Sequence, residues 1–278
     1  MAKAELDQIS GLGFPEALRW RAGELWFSDM FRGQVMAWSP GQPPRVVLCA
    51  KNGGPEMPGG LGFTQSGELL VVDCLERRLL QLGHDGKISV HADFADLAAH
   101  PLNDMHVDLD GTAWLGGYGF DPDFDEPVGS PIFRVSETGE ISQSEPRFLF
   151  PNGCERRASE LAVAETFGDR VSFFNSEFGH IQSFECATGS GPDGLSFDSK
   201  GFLYVAMAFS SKIERLSAAG EFEVVFELLT PSESPGGPKG VFDCAMKPGS
   251  NILAFSSACL DEVYSKQHDT GSITLLAV

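Results

Sequence analysis

Hydrophobic positions along this chain fall into short runs separated by turns, and few of them follow a helical period. Residues 191–206 show the pattern most clearly. A Pro-Asp-Gly turn leads into an alternating stretch in which Leu195 and Phe197 are apolar, and a second turn leads into the apolar run at 202–205. Alternation is typical of a half-buried strand, and two such runs joined by a turn are typical of a hairpin. This segment therefore predicts two antiparallel strands.

The unit of a turn followed by a strand recurs six times at a nearly constant interval. Intervals of 44, 44, 48, 42 and 49 residues separate the turn residues that mark the copies, which are Gly23, Gly67, Gly111, Ser159, Gly201 and Ser250. A period in the forties with about four strands per repeat is typical of β-propeller blades. The pattern predicts an all-β fold, a six-bladed β-propeller that forms a single domain over residues 1–278. A pair of β-sandwiches is the alternative, which the long regular period disfavours.

Further strands of the repeat are also visible. The third strand is predicted at 34–38, 78–82 and 212–216, and a tail strand at 272–276 completes the sixth unit. The segment before Glu16 is expected to add one strand to the last blade, because a ring closed in this way leaves no exposed sheet edge. Residues 94–99 are the best candidate for a helix, at about one and a half turns.

Composition and charge limit the partners. The net charge is -19, so nucleic acid and anionic membrane surfaces would be repelled. No apolar run approaches the ~20 residues that span a bilayer, and the N-terminal segment lacks the apolar core of a signal peptide. The six scattered cysteines include no CxxC pair, which predicts reduced, mostly buried thiols and a cytoplasmic protein, although an even number leaves disulfides possible. Either a monomer or a dimer is compatible with the sequence.

Polar residues occupy one phase of the repeat, just before the predicted first strand of each blade. At intervals of 44, 43, 49 and 41 residues, these positions are Glu16, Gly60, Asn103 with Asp104, Asn152 and Asp193, and the sixth lies within 239–243. Equivalent positions of a propeller ring one mouth of its central tunnel. Carboxylate and amide oxygens are ligands of hard cations such as Ca²⁺ or Mg²⁺. Each motif alone is typical of a turn, whereas their common phase predicts a site.

These motifs also resemble a known family. The chain is similar to the gluconolactonase, senescence marker protein and luciferin-regenerating enzyme family from about Phe14 to the C-terminus. The similarity is carried by Pro15-Glu16, Asn103-Asp104-x-x-Val107-Asp108-x-Asp110-Gly111, Phe150-Pro151-Asn152-Gly153 and Pro192-Asp193-Gly194-Leu195. The motif Ala164-Glu165-Thr166-Phe167 is similar to the corresponding motif in the bacterial branch of the family.

The resemblance implies a six-bladed propeller with one divalent cation, typically Ca²⁺, Zn²⁺ or Mn²⁺. It implies that Glu16, Asn152 and Asp193 hold this cation and that Asn103 and Asp104 lie beside it, next to the substrate. The usual activity of the family is lactone hydrolysis, with a phosphotriesterase side activity in some relatives.

Two departures from the family pattern bear on the substrate. Relatives that act on sugar lactones place an arginine shortly before the Asn-Asp pair, where this chain has His100-Pro101-Leu102. After Asn152 the family usually has a Pro-Asp-Gly turn, which the segment 154–159 lacks. The first departure disfavours a sugar lactone and the second is expected to change only a loop. Aromatic neighbours such as Tyr118, Phe120 and Phe178 indicate a less polar substrate.

The sequence thus predicts a metal-dependent lactonase acting on a small-molecule lactone. Asp104 or Asp193 is the candidate general base, and Asn103, Tyr118 and Phe120 are candidate substrate contacts. The alternatives are a non-catalytic metal- or ligand-binding propeller and a related phosphotriesterase-like hydrolase.

Other motifs are discounted. The match of Gly189-x-Gly191-x-x-Gly194 to a dinucleotide fingerprint is followed by a strand rather than a helix. His106 is expected in the interior or in a loop, and Cys154 is expected as a packed thiol because no activating base is evident.

Overall fold

Six four-stranded antiparallel sheets form a ring in the computed structural model, which describes residues 4–231 and 233–278. The first strand of each sheet contacts the first strands of the two neighbouring sheets, and the last contact closes the ring between the sixth and first sheets. The predicted all-β, six-bladed propeller is therefore confirmed.

Each of the first three blades runs outward in chain order. Blade one comprises β2 (Pro15–Arg21), β3 (Glu24–Asp29), β4 (Gln34–Trp38) and β5 (Arg45–Cys49). Blade two comprises β6 (Pro58–Phe63), β7 (Leu69–Asp73), β8 (Arg78–Leu82) and β9 (Ile88–Asp93). Blade three comprises β10 (Leu102–Val107), β11 (Ala113–Gly117), β12 (Phe133–Val135) and β13 (Ile141–Gln143).

Blades four and five repeat this order, and blade six takes its outer strand from the N-terminus. Blade four comprises β14 (Pro151–Arg157), β15 (Glu160–Glu165), β16 (Arg170–Asn175) and β17 (His180–Glu185). Blade five comprises β18 (Pro192–Phe197), β19 (Leu203–Met207), β20 (Lys212–Leu216) and β21 (Phe222–Glu227). Blade six comprises β22 (Lys239–Met246), β23 (Ile252–Cys259), β24 (Gly271–Ala277) and β1 (Glu5–Leu12), with helix α1 (Glu262–His268) between β23 and β24.

The predicted closure of the ring by the N-terminal segment is confirmed. Strand β1 pairs antiparallel with β24, with Ile9 opposite Ile273 and Ser10 opposite Ser272. The Gln8 amide also donates a 2.9 Å hydrogen bond to the Thr274 hydroxyl. This pairing covers the edge that β24 would otherwise expose.

The third strands lie where the sequence predicts them, whereas the predicted helix at 94–99 is wrong. That segment makes one turn, closed by a 2.8 Å bond from the Ala98 amide to the Phe94 carbonyl. Pro101 follows shortly, and a proline disfavours helical geometry in the residue before it. The unpredicted helix α1 is only seven residues long, and the Asp261 carboxylate caps it by accepting a hydrogen bond from the Tyr264 amide.

Apolar layers between adjacent blades hold the ring together. Between blades one and six, Phe27 and Trp38 pack in one buried cluster with Ala254, Ile273 and Leu275. Such sheet-on-sheet packing fixes the position of each inner strand relative to the tunnel axis. No helix in the described part of the chain is long and apolar enough to span a membrane.

The innermost strands share an irregularity at the tunnel mouth. Each has a register shift of one residue near its start, which leaves a two-residue bulge at 17–18, 59–60, 103–104, 152–153, 193–194 and 242–243. A bulge redirects side chains and bends its strand. The polar residues expected just before the strands therefore lie inside them, within the bulge or, for Glu16, directly before it.

Candidate metal and active site

Aspartate side chains accept hydrogen bonds from backbone amides immediately before two of the inner strands. The Asp29 carboxylate accepts hydrogen bonds of 3.1 and 2.9 Å from the amides of Gly13 and Phe14, immediately before β2. The Asp169 carboxylate does the same before β18, accepting bonds of 2.7 and 3.1 Å from the amides of Gly189 and Gly191. Both contacts fix the start of a strand that carries a candidate ligand.

A chain of hydrogen bonds joins the inner strands of blades three, four and five. The side-chain amide of Asn103 donates a 2.7 Å hydrogen bond to the side-chain oxygen of Asn152. The side-chain NH₂ of Asn152 in turn donates to the Thr166 hydroxyl at 3.2 Å. The same hydroxyl donates to the Pro192 carbonyl at 2.9 Å, next to Asp193. The structure thus brings Asn103, Asn152 and Asp193 together. Thr166, in the segment 164–167, links Asn152 to the strand that carries Asp193.

Four carboxylates lie close enough at this mouth to repel one another. Burial and the charges of Asp193, Asp243 and Asp104 raise the pKa of Glu16 well above its usual value. Burial and the charges of Asp243 and Asp104 likewise raise the pKa of Asp193. Among these charges, that of Asp193 in blade five acts most strongly on Glu16 in blade one, in agreement with their common repeat phase.

Arg19 is the cation at the centre of this group. One of its terminal nitrogens lies 3.0 Å from Asp104 Oδ1 and 3.3 Å from Oδ2, and the other lies 3.6 Å from Asp243 Oδ2. The guanidinium also donates to the carbonyl oxygens of Leu18, at 2.8 Å, and of Met105. It therefore links the inner strands of blades one, three and six.

Asp243 occupies the sixth position of the ring. The backbone amides of Leu18 and Cys244 donate to its carboxylate. Burial raises the pKa of Asp243 to about 7, against the opposing effect of Arg19.

These two residues extend the set that the sequence identifies. Asp243 falls within the predicted range 239–243. Arg19 was missed, and its signal was a cation three residues after Glu16 in a strand whose other central side chains are apolar.

The candidate metal ligands combine carboxylate and amide side chains. Among residues 4–231 and 233–278, no three His, Cys, Asp or Glu side chains form a metal-binding group. The candidate ligands Glu16 and Asp193 are carboxylates, and Asn152 adds the oxygen of its side-chain amide. All three offer oxygen donors, which suits a hard cation. The repulsion between these buried carboxylates is what a divalent cation would relieve. The residues present therefore fit such an ion.

The aromatic residues predicted to contact substrate occupy different positions. The Tyr118 ring stacks on Phe150 with centroids 3.9 Å apart. Burial, then the charges of Glu262, Asp193 and others, raise the pKa of the Tyr118 phenol. Phe120 is buried. Phe178 packs against Trp114 in a separate cluster.

His106 lies further along the tunnel, where a cavity of about 460 Å³ opens between the inner strands. Its two ring nitrogens lie 3.2 Å from carboxylate oxygens of Asp108 and Glu155. Burial opposes its protonation, but these two carboxylates outweigh that effect and raise the pKa of His106 to about 9.

The cysteines are free thiols, and four of the six are buried. The Cys154 thiol lies 3.3 Å from the Trp114 carbonyl oxygen, and burial raises its pKa above the ordinary value. A thiol that resists ionisation is a poor nucleophile, in agreement with its expected packing role.

Comparisons with known proteins give a family and a fold. The sequence profile described as the SMP-30/Gluconolactonase/LRE-like region matches residues 14–235. Among solved structures, the chain is similar to a luciferin-regenerating enzyme, with a TM-score of 0.76, 17% identity and coverage of 97% of this chain and 93% of that one. A search of curated proteins found no match.

Two bacterial structures show the same likeness. A calcium-binding protein, regucalcin, from Agrobacterium tumefaciens has a TM-score of 0.75 and 15% identity, with coverage of 98% of this chain and 95% of that one. A gluconolactonase from Xanthomonas campestris has a TM-score of 0.71 and 17% identity, with coverage of 97% and 89%. At these identities the likeness shows the fold.

Proposed function

Because the chain belongs to the SMP-30/gluconolactonase/LRE-like family, we propose that it is a divalent-metal-dependent hydrolase of cyclic esters, a lactonase. The observation that carries the proposal is that Glu16, Asn152 and Asp193 lie in or directly beside equivalent bulges of the inner strands, with Asn103 and Asp104 in the bulge of β10 and Asn103 bonded to Asn152. The names of two relatives, a gluconolactonase and a calcium-binding regucalcin, support the same activity and the same kind of ion.

Glu16, Asn152 and Asp193 are the residues that would hold the cation, with Ca²⁺ the first candidate and Zn²⁺, Mn²⁺ or Mg²⁺ as alternatives. When bound, the ion supplies Lewis-acid polarisation of the ester carbonyl. The Asn152 carbonyl oxygen accepts from Asn103 and keeps a second lone pair free for a ligand. Because Asn103 and Thr166 both bond its side chain, Asn152 presents that oxygen in a fixed orientation.

The remaining side chains provide orientation and proton transfer. Asn103 would orient the substrate, since it lies on the neighbouring inner strand and its side chain hydrogen-bonds that of Asn152. Asp104 or Asp193 accepts the proton of the attacking water on a carboxylate oxygen. Arg19 binds both oxygens of Asp104 and so restricts the rotation of that carboxylate. Tyr118 remains a proposed substrate contact, whereas Phe120 is buried against Phe167 and would support the rings around the substrate.

A panel of lactones assayed with and without metal tests the proposal. The panel runs from glucono-δ-lactone to aliphatic and aromatic γ- and δ-lactones. Each is tested after chelation and again after addition of Ca²⁺, Mg²⁺, Mn²⁺ or Zn²⁺. Turnover that chelation removes and one of these ions restores is the expected result. A cation that raises the melting temperature while no lactone reacts would instead support a non-catalytic metal-binding propeller.

A further inference from the structure

Five aromatic rings form a continuous row at the mouth of the tunnel on the side of blades three to five. We call Tyr118, Phe120, Phe150, Phe167 and Phe209 the aromatic row. The ring centroids of Phe150 and Phe167 are 5.9 Å apart, those of Phe120 and Phe167 are 5.2 Å apart, and those of Phe167 and Phe209 are 6.0 Å apart. Stacking of Tyr118 on Phe150 completes it. These spacings are those of interacting aromatic pairs.

The first two rings are attached directly to the candidate site. The Tyr118 amide donates a 3.0 Å hydrogen bond to the Pro101 carbonyl, two residues before Asn103. Phe150 precedes Pro151 and Asn152, at the start of β14. The row therefore begins beside the residues that would hold the cation and orient the substrate.

The outer rings are attached in the same way. Phe167 follows Thr166, whose hydroxyl accepts a hydrogen bond from the side-chain amide of Asn152. The Phe209 ring covers Gly191, where an added Cβ would lie 2.4 Å from the ring, and Gly191 lies two residues before Asp193. All three blades that carry the row thus present it at the same mouth.

The aromatic row contains both buried rings and rings that are exposed to solvent. Phe120 and Phe150 are buried, whereas Phe167 is 37% exposed and Phe209 is 45% exposed. Two adjacent, partly exposed rings on a packed base form an apolar face beside the site, and covering that face removes apolar surface from water. The buried rings hold it rigid, so its binding requires little ordering of side chains.

The row is poorly suited to a sugar ring. A polyol needs hydrogen-bonding partners, and four of the five side chains of the row are phenylalanines, with the Tyr118 hydroxyl as its single polar group. Beside the row, His100 and Leu102 line a cavity of about 160 Å³ together with Tyr118.

We propose that the substrate is a lactone carrying an apolar alkyl or aryl substituent, and that this substituent packs against Phe167 and Phe209. This inference rests on the proposed lactonase function and names its substrate class.

The test compares kcat/KM for apolar and polar lactones in the wild type and in single-ring variants. The wild type is expected to prefer γ-nonalactone and dihydrocoumarin to glucono-δ-lactone. Phe167→Ser and Phe209→Ser are each expected to lower kcat/KM for these two lactones about tenfold, the effect of losing one apolar contact surface, and to affect unsubstituted γ-butyrolactone less. Phe167→Leu keeps an apolar side chain and is expected to retain most of the activity. Phe124→Ser, at an 86% exposed ring, is the matched control.

A binding measurement separates failure of the inference from failure of the proposed function. Dihydroquinolinone, the lactam counterpart of dihydrocoumarin, resists hydrolysis and can be titrated into the metal-loaded protein, with δ-valerolactam as the small control. Weaker binding of dihydroquinolinone by both serine variants, with unchanged binding of δ-valerolactam, supports the packing of an apolar group against Phe167 and Phe209 even if the proposed lactonase activity fails. A preference for glucono-δ-lactone, or unchanged binding and turnover in both variants with normal melting temperatures, would overturn it.

Discussion

At the scale of single residues, Arg19 is the cationic partner of two of the four carboxylates at the tunnel mouth. Its guanidinium contacts Asp104 and Asp243 and also satisfies two backbone carbonyls. A planar fork of donors can serve these partners at once, whereas a single ammonium group cannot. Arg19 is therefore both an electrostatic and a geometric support for Asp104.

Arg19→Met is expected to lower the free energy of unfolding by about 3–5 kcal/mol, because it leaves Asp104 and Asp243 buried without their cationic partner. Arg19→Lys keeps the charge but loses the fork, so an intermediate loss is expected. Urea denaturation followed by circular dichroism measures both values.

An exposed pair provides the control for these variants. Arg45 lies 2.8 Å from Glu24, and both side chains are accessible to water. Arg45→Met should cost no more than about 1 kcal/mol, since exposed pairs contribute little. Equal losses for Arg19→Met and Arg45→Met would contradict the central role of Arg19.

At the scale of elements, the bulges of the inner strands bring functional side chains to the mouth and need small residues beside them. Gly153 and Gly194 occupy the bulges of β14 and β18. A Cβ at Gly194 would lie 1.9 Å from Asp243 Oδ1 and 2.6 Å from the Asp243 Cα. A side chain at this position would push apart the inner strands of blades five and six.

Gly194→Ala is therefore expected to destabilise the fold by about 1–3 kcal/mol, the usual cost of overpacking. Thermal and urea denaturation measure this loss. At Gly83, a Cβ would meet the Asp85 carboxylate at 3.0 Å, and that side chain can move in its exposed turn. Gly83→Ala should stay within about 0.5 kcal/mol, and an equally small effect of Gly194→Ala would show that the two strands can separate without cost.

The element scale also shows what the sequence could predict. Second and third strands were located well because each follows a turn and has an apolar or alternating pattern. Helix α1 was missed because seven residues provide too few periods for a helical pattern. The segment 94–99 has helical residues but is followed by Pro101, which limits it to one turn. Short elements depend on tertiary contacts more than on their own sequence.

At the scale of the whole molecule, the repeat phase identified most residues of the candidate site because equivalent positions of six blades meet at one mouth. Glu16, Asn103, Asn152 and Asp193 were found from their spacing. Arg19 could not be found in this way, because it has no counterpart at the same phase in the other blades. The aromatic row was seen only in part, since the proximity of Phe167 and Phe209 depends on how two loops pack.

Calorimetric titration of Ca²⁺ into chelator-treated protein tests the central claim most directly, with lactone turnover measured on the same samples. The wild type should bind one cation and gain activity. Asp193→Ala should lose binding and turnover together, and Asp123→Ala, at an exposed carboxylate, should behave like the wild type. Undiminished turnover by Asp193→Ala in the absence of bound metal would contradict the assignment of this mouth as the metal-dependent active site.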